Sequence, residues 1–172
     1  DTPLDGSANL LLYGYGSYGA SMSPSFSSTR LSLINRNIIW VTAHIRGGME
    51  RGMKWWKEGK LLNKKNTFND YIAAAKFLIE KKYTSKGKII GMGGSAGGLL
   101  MGAVVNKAPD LFLGMIMAVP FVDSLTTNLD HSLPLTIGEF DSRKNLVHTW
   151  KILINTYIKI TSCLIGACNK PC

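Results

Sequence analysis

A serine flanked by glycines is the feature of this sequence with the clearest chemical meaning. The run Gly93-Gly94-Ser95-Ala96-Gly97 fits the pattern G-x-S-x-G, with an apolar run before it and a helix-forming run after it. In that setting the pattern is typical of a nucleophile elbow, a tight turn that exposes a serine hydroxyl at the end of a strand. The sequence therefore predicts that Ser95 is a nucleophile for acyl transfer. A structural turn and a phosphate-binding loop are the alternatives.

Acyl transfer also requires donors for the negative charge that develops on the carbonyl oxygen. The backbone N–H of Ala96, next to the serine, is one natural donor. In serine hydrolases the second donor often lies on the loop after an earlier strand. Here a glycine- and tyrosine-rich loop at residues 14–19 follows the first apolar run. The phenol of Tyr15 is the candidate donor, and an ordinary packing tyrosine is the alternative.

The elements that must position these groups alternate between apolar strands and helices. Strands are predicted at residues 8–13, 37–43, 88–92 and 113–119, and helices at residues 29–35, 69–82 and 99–106. Thr67 or Asn66 is expected to cap the second helix. Because helical crossovers separate parallel strands, the predicted fold class is α/β, a mostly parallel sheet with flanking helices.

Length and composition indicate one compact domain. The chain has 172 residues, of which 45% are hydrophobic and 18% charged, which excludes a disordered polyelectrolyte. The net charge is +9, and residues 143–172 carry five of the 20 basic side chains and none of the 11 acidic ones. Because no nucleic-acid motif accompanies this excess, we interpret it as solvated surface and predict neither a nucleic-acid nor a membrane partner. A basic binding module is the alternative.

The cysteines point away from disulfides and metals. Cys163, Cys168 and Cys172 are the three cysteines, and the opening residues show no secretory signal. An odd number in that context argues against a disulfide framework, so a cytoplasmic location is expected. A zinc site needs four ligands, and His148 is the only histidine nearby. The sequence therefore predicts no metal and no cofactor.

Several motifs together resemble the catalytic domain of the prolyl oligopeptidase family, in particular its oligopeptidase B (protease II) branch. They lie at residues 13–19, 46–48, 66–70, 93–98, 109–112, 119–123 and 133–140. The resemblance extends over about residues 3–141, most of the chain. It implies a truncated α/β-hydrolase domain at residues 1–142, followed by a divergent basic tail with the cysteines at residues 143–172.

The resemblance also implies an activity and a set of site residues. It implies a serine oligopeptidase that cleaves short peptides after Arg or Lys, with Ser95 as nucleophile. It further implies that Tyr15 O–H and Ala96 N–H form the oxyanion hole. Glu139 and Asp141 are implied to receive the basic side chain, since carboxylates complement a guanidinium. An esterase or lipase on the same fold is the alternative.

The general base is missing from the expected pattern. A serine nucleophile needs a histidine that an acid orients, and in this fold both follow the serine along the chain. His131 and His148 follow Ser95, but neither lies where the family carries its base, and His44 is interpreted as structural. The sequence predicts that the chain lacks the triad Asp and His and is inactive alone. The alternative is a non-catalytic remnant, or a fragment that a complementary chain completes.

Overall fold

The structure, a computed structural model, describes residues 2–123, 127 and 134–140. Several predicted features lie outside these residues: Asp141, His131, His148, the three cysteines and the boundary at residue 142. None of the helices within the described ranges has the length and hydropathy of a membrane span.

Four parallel strands form the centre of the described fold. They are β1 (Leu10–Tyr13), β2 (Ile39–Thr42), β3 (Ile89–Gly94) and β4 (Phe112–Ala118), in the order β2-β1-β3-β4. All three pairings are parallel, which confirms the predicted sheet. Because parallel strands end at the same edge, the residues that follow β1 and β3 emerge side by side. These are the Tyr15 loop (residues 14–19) and the Ser95 turn.

Helices connect and cover the strands. They are α1 (Ser28–Ile34), α2 (Met53–Lys57), α3 (Lys65–Glu80), α4 (Ala96–Lys107) and α5 (Pro134–Phe140), with 3-10 turns at Leu61–Asn63 and Pro109–Leu111. The three predicted helices are present as α1, α3 and α4, whereas the sequence did not predict α2 and α5. The predicted cap of α3 is wrong, because that helix begins at Lys65 without a side-chain cap. The Thr67 hydroxyl lies instead 2.7 Å from the carbonyl oxygen of Arg46 and 3.0 Å from that of Gly59.

The main core lies between the sheet and helices α3 and α4. Leu10 and Leu12 of β1 are fully buried there, together with Tyr71 of α3. The Tyr71 hydroxyl donates a hydrogen bond of 2.6 Å to the Leu12 carbonyl. All residues of α4 from Ala96 to Val104 are buried, which explains why this helix is apolar on every side. The buried helix holds the Ser95 turn rigidly at its N-terminus.

Candidate active site

Ser95 lies in a strained turn between β3 and α4. Its φ is +52° and its ψ is −116°, a backbone conformation that side-chain-bearing residues rarely adopt. Backbone hydrogen bonds hold it there: its N–H donates to the carbonyl of Ala118, and its own carbonyl accepts from the N–H of Phe121, both at 2.9 Å. The side chain is exposed. This is the local geometry of a nucleophile elbow.

Glycines close the turn against the neighbouring loop. A Cβ on Gly93 would lie 2.3 Å from the carbonyl oxygen of Gly97, and one on Gly97 would lie 2.8 Å from that of Gly14. Both separations are too short for a carbon and an oxygen, so neither position accepts a side chain. The Ser95 turn and the Tyr15 loop consequently touch through their backbones.

The ring of Tyr15, the predicted second oxyanion donor, lies close to the Ser95 turn. Its ring approaches the first turn of α4, since a Cβ on Gly97 would be 3.4 Å from its Cδ2 atom. The ring packs against a buried cluster of Ala96, Leu99 and Phe140. Burial raises the pKa of Tyr15, and Tyr13 and Glu139 raise it further. The phenol therefore keeps its proton at neutral pH and can donate a hydrogen bond.

Ala96, the other predicted oxyanion donor, directly follows Ser95. It is the first residue of α4, and the first N–H groups of a helix have no partner within the helix. The helix dipole adds positive potential at this end. Ala96 and Tyr15, which are predicted to supply the oxyanion donors, thus lie on α4 and on the loop that contacts it.

Glu139 is buried in α5 and has two partners. Only 1% of its side chain is exposed. Its Oε1 accepts a hydrogen bond of 2.9 Å from Lys64 Nζ, and its Oε2 accepts one of 3.1 Å from Trp56 Nε1. Sequence reasoning identified neither partner, because Lys64 stands in a polar run, Asn63-Lys64-Lys65-Asn66, that is typical of surface.

Aromatic rings pack around Phe140, the residue that follows Glu139 in α5. Phe140 stacks edge-on against Tyr18 with ring centroids 5.8 Å apart, and it lies 5.2 Å from Phe121. Burial, with Tyr15 and Glu139, raises the pKa of Tyr18 to about 12. Glu139 is therefore buried beside aromatic side chains, where its ionic contact with Lys64 is stronger than in water.

The lowered pKa of Lys64 predicts that the free energy of unfolding depends on pH in the alkaline range. Burial lowers the pKa of this lysine to about 8, although the Glu139 carboxylate opposes the shift. Between about pH 8 and pH 10 the unfolded chain thus holds a proton that the folded chain has released. The free energy of unfolding should rise with pH across this interval, as measured by urea unfolding. The double variant Lys64→Met/Glu139→Gln should lack this rise, and an equal rise in both proteins would contradict the assignment.

An ion pair between Arg46 and Asp70 holds the segment that packs against the Tyr15 loop. The Asp70 carboxylate accepts hydrogen bonds from Arg46 Nη2 at 2.5 Å and Nε at 2.7 Å, and from the Arg46 backbone N–H at 3.0 Å. Gly47 follows directly, and a Cβ there would lie 2.0 Å from the carbonyl oxygen of Gly16. The motifs at residues 46–48 and 66–70 therefore act together to hold the Tyr15 loop.

His44 is the histidine that the described residues contain, and it serves a structural contact. Its Nε2 lies 2.8 Å from the carbonyl oxygen of Met22. It follows β2, which is two strands away from β3, a separation of about 10 Å at the usual strand spacing. Within the described ranges no side chain hydrogen-bonds the Ser95 hydroxyl. The described residues thus contain Ser95, the predicted nucleophile, together with Tyr15 and Ala96, the predicted oxyanion donors, and their histidine, His44, follows a different strand.

Comparisons with known proteins identify sequences that are similar to this chain. The family model described as "Prolyl oligopeptidase family" matches residues 24–151. The chain is 51% identical over 145 residues to dipeptidyl aminopeptidase BI of Pseudoxanthomonas mexicana, which covers 84% of this chain and 20% of that protein. It is 56% identical over 137 residues to protease 2 of Moraxella lacunata, which covers 80% of this chain and 20% of that protein.

Solved structures share the fold. Oligopeptidase B from Leishmania major matches with a TM-score of 0.77 and 46% identity, over 94% of this chain and 22% of that one. The chain therefore spans about a fifth of the length of the curated relatives it matches.

Proposed function

This chain belongs to the prolyl oligopeptidase family of serine peptidases, and we propose that it is the nucleophile-bearing part of an oligopeptidase that cleaves short peptides after Arg or Lys. The observation that carries the proposal is the strained Ser95 turn, in backbone contact with the loop of Tyr15. The similarity to protease 2 and to oligopeptidase B supports a peptidase that acts on oligopeptides.

The chemistry proposed for Ser95 is acyl transfer. Its Oγ forms a bond to the carbonyl carbon of the scissile peptide, and its proton passes to a histidine base from outside the described residues. The oxyanion is held by Ala96 N–H and Tyr15 O–H. When the intermediate collapses, the C–N bond breaks and the amine leaves with the proton. Water then hydrolyses the acyl-enzyme by the same steps and regenerates Ser95.

The preference for a basic residue is proposed to arise from Glu139. Lys64 and Trp56 each use one acceptor position on its carboxylate, and a carboxylate has about four. The positions that are left can accept a guanidinium, and the half-buried ring of Phe121, 5.2 Å from that of Phe140, is the nearby aromatic side chain on which it can stack. Asp141, outside the described residues, is proposed as the second carboxylate.

Covalent labelling tests both parts of this proposal. Two phosphonates that differ only in a guanidino or a neutral alkyl side chain would be reacted with the full-length protein, meaning the whole oligopeptidase of which we propose this chain to be a part, and with its Glu139→Gln variant. Loss of one charge-assisted contact costs about 1.5–3 kcal/mol, so Glu139→Gln should slow labelling by the guanidino probe about 10- to 100-fold. Labelling by the alkyl probe should not change. Intact mass gives the rates, and Ser95→Ala is the blank.

Each alternative function has its own outcome in this experiment. Equal rates for the two probes in the wild-type protein would refute the basic preference and favour an esterase or a peptidase of other specificity. No label on a folded protein would favour the non-catalytic remnant. Label that forms only after a complementary fragment is added would show that the base is supplied from another chain.

A further inference from the structure

The ammonium of Lys64 lies at the junction of two parts of the site. Its Nζ is 2.8 Å from the carbonyl oxygen of Gly16 and 2.6 Å from Ser17 Oγ, both in the Tyr15 loop. It is also 2.9 Å from Oε1 of Glu139, which comes from α5. An ammonium has three N–H donors, so these three acceptors use all of them. One side chain thus connects the loop of the oxyanion donor to the acid proposed to bind the substrate.

The contacts are buried, which makes them costly to rearrange. Lys64 has 4% of its side chain exposed and Glu139 has 1%, and Ser17 is fully buried. Breaking any of these contacts would leave a buried polar group without a partner, at about 1–3 kcal/mol for a neutral group and more for a charged one.

Hydrogen bonds of Lys64 and of the start of α3 fix the backbone that carries the lysine side chain. It directly precedes α3, whose Thr67 hydroxyl bonds the carbonyls of Arg46 and Gly59. The backbone N–H of Lys64 donates to the Leu61 carbonyl at 3.0 Å. The ammonium is therefore presented from a fixed backbone.

We propose that Lys64 is a positioning residue that holds the Tyr15 loop and the Glu139 carboxylate in one arrangement, so that the oxyanion donor and the substrate-binding acid are set together. The inference rests on the proposed function, and it adds a residue that acts on both parts without touching the substrate. Lys64 positions the loop through its hydrogen bonds to Gly16 and Ser17. It affects specificity through its ion pair with Glu139.

Two variants separate these actions. Ser17→Ala removes one contact to the loop and leaves the Lys64–Glu139 ion pair intact. In the full-length protein it should lower kcat about 10- to 100-fold for Arg and neutral substrates alike, because a small misplacement of a donor costs that much. KM and the Arg preference should not change. Lys64→Met should lower kcat and also abolish the Arg preference, and in a Glu139→Gln background it should lower kcat alone.

Lys65→Met is the matched control. Lys65 is the next residue and is exposed, so its kinetic constants should equal those of the wild type. Hydrogen exchange of the amides of residues 14–19 should quicken in Ser17→Ala and Lys64→Met but not in Lys65→Met. This readout does not depend on turnover, and Ser17→Ala keeps the test valid where Lys64→Met fails to fold.

The outcomes separate the two proposals. Wild-type hydrolysis with an Arg preference, and a Ser17→Ala variant with unchanged kcat and unchanged exchange, would overturn the role of Lys64 and leave the proposed function intact. A fall of KM and kcat together with lost Arg preference in Ser17→Ala would also overturn it, since the loop contact should not reach Glu139. No hydrolysis and no label in the wild type would overturn the proposed function and this inference with it.

Discussion

Ser95→Gly should raise the free energy of unfolding of the protein and abolish its catalytic activity. Ser95 holds a φ of +52°, which costs a residue with a Cβ about 1–3 kcal/mol and costs glycine little. Glycine also increases the conformational entropy of the unfolded chain, which offsets part of that stabilisation. We therefore expect a net rise of about 1 kcal/mol in the free energy of unfolding. The same change removes the nucleophile, which in serine proteases lowers kcat about 10⁶-fold.

Ser95→Ala separates the two effects. Alanine keeps the Cβ and loses the hydroxyl, so kcat should fall equally while stability stays near that of the wild type. Urea unfolding and peptide hydrolysis by the full-length protein give both quantities. A Ser95→Gly variant less stable than Ser95→Ala would show that the turn is not strained, and hydrolysis that survives both changes would show that Ser95 is not the nucleophile.

Lys64→Met should destabilise the fold by about 3–5 kcal/mol, the usual cost of removing one partner of a buried ion pair. The methionine fills a similar volume but leaves the Glu139 carboxylate without a cation at 1% exposure. It also leaves the carbonyl of Gly16 without its 2.8 Å donor. The midpoint and slope of urea unfolding measure the loss.

The double variant distinguishes the ion pair from simple packing. Lys64→Met/Glu139→Gln has no buried charge, so it should recover most of the lost stability. Lys65→Met, on the exposed side of the same segment, should stay within about 0.5 kcal/mol of the wild type. A double variant less stable than Lys64→Met would mean that packing and the loop contacts, rather than the unpaired carboxylate, dominate the cost.

Local pattern was enough to predict most of the sheet and the turn at Ser95. The four strands were predicted because each is a short apolar run bounded by turn residues, as in residues 88–92, which correspond to β3 (Ile89–Gly94) in the structure. The turn was predicted because its glycines and serine are adjacent along the chain. Helix α5 was missed, since a seven-residue segment with a proline at its start and a glycine inside it has little helical propensity.

Adjacent residues in this chain determined by themselves the four strands, the parallel sheet and the position of the Ser95 turn. Such features depend on periodicity and on backbone freedom, which are properties of short segments. Only the tertiary structure decided that Lys64 faces Glu139, 75 positions away, and that it also binds the Tyr15 loop. The physical reason is that the local sequence around Lys64 is polar, like that of any surface lysine, so nothing in it indicates that this lysine is buried. Its burial follows from where the sheet places α3 and α5, and not from its neighbours in sequence.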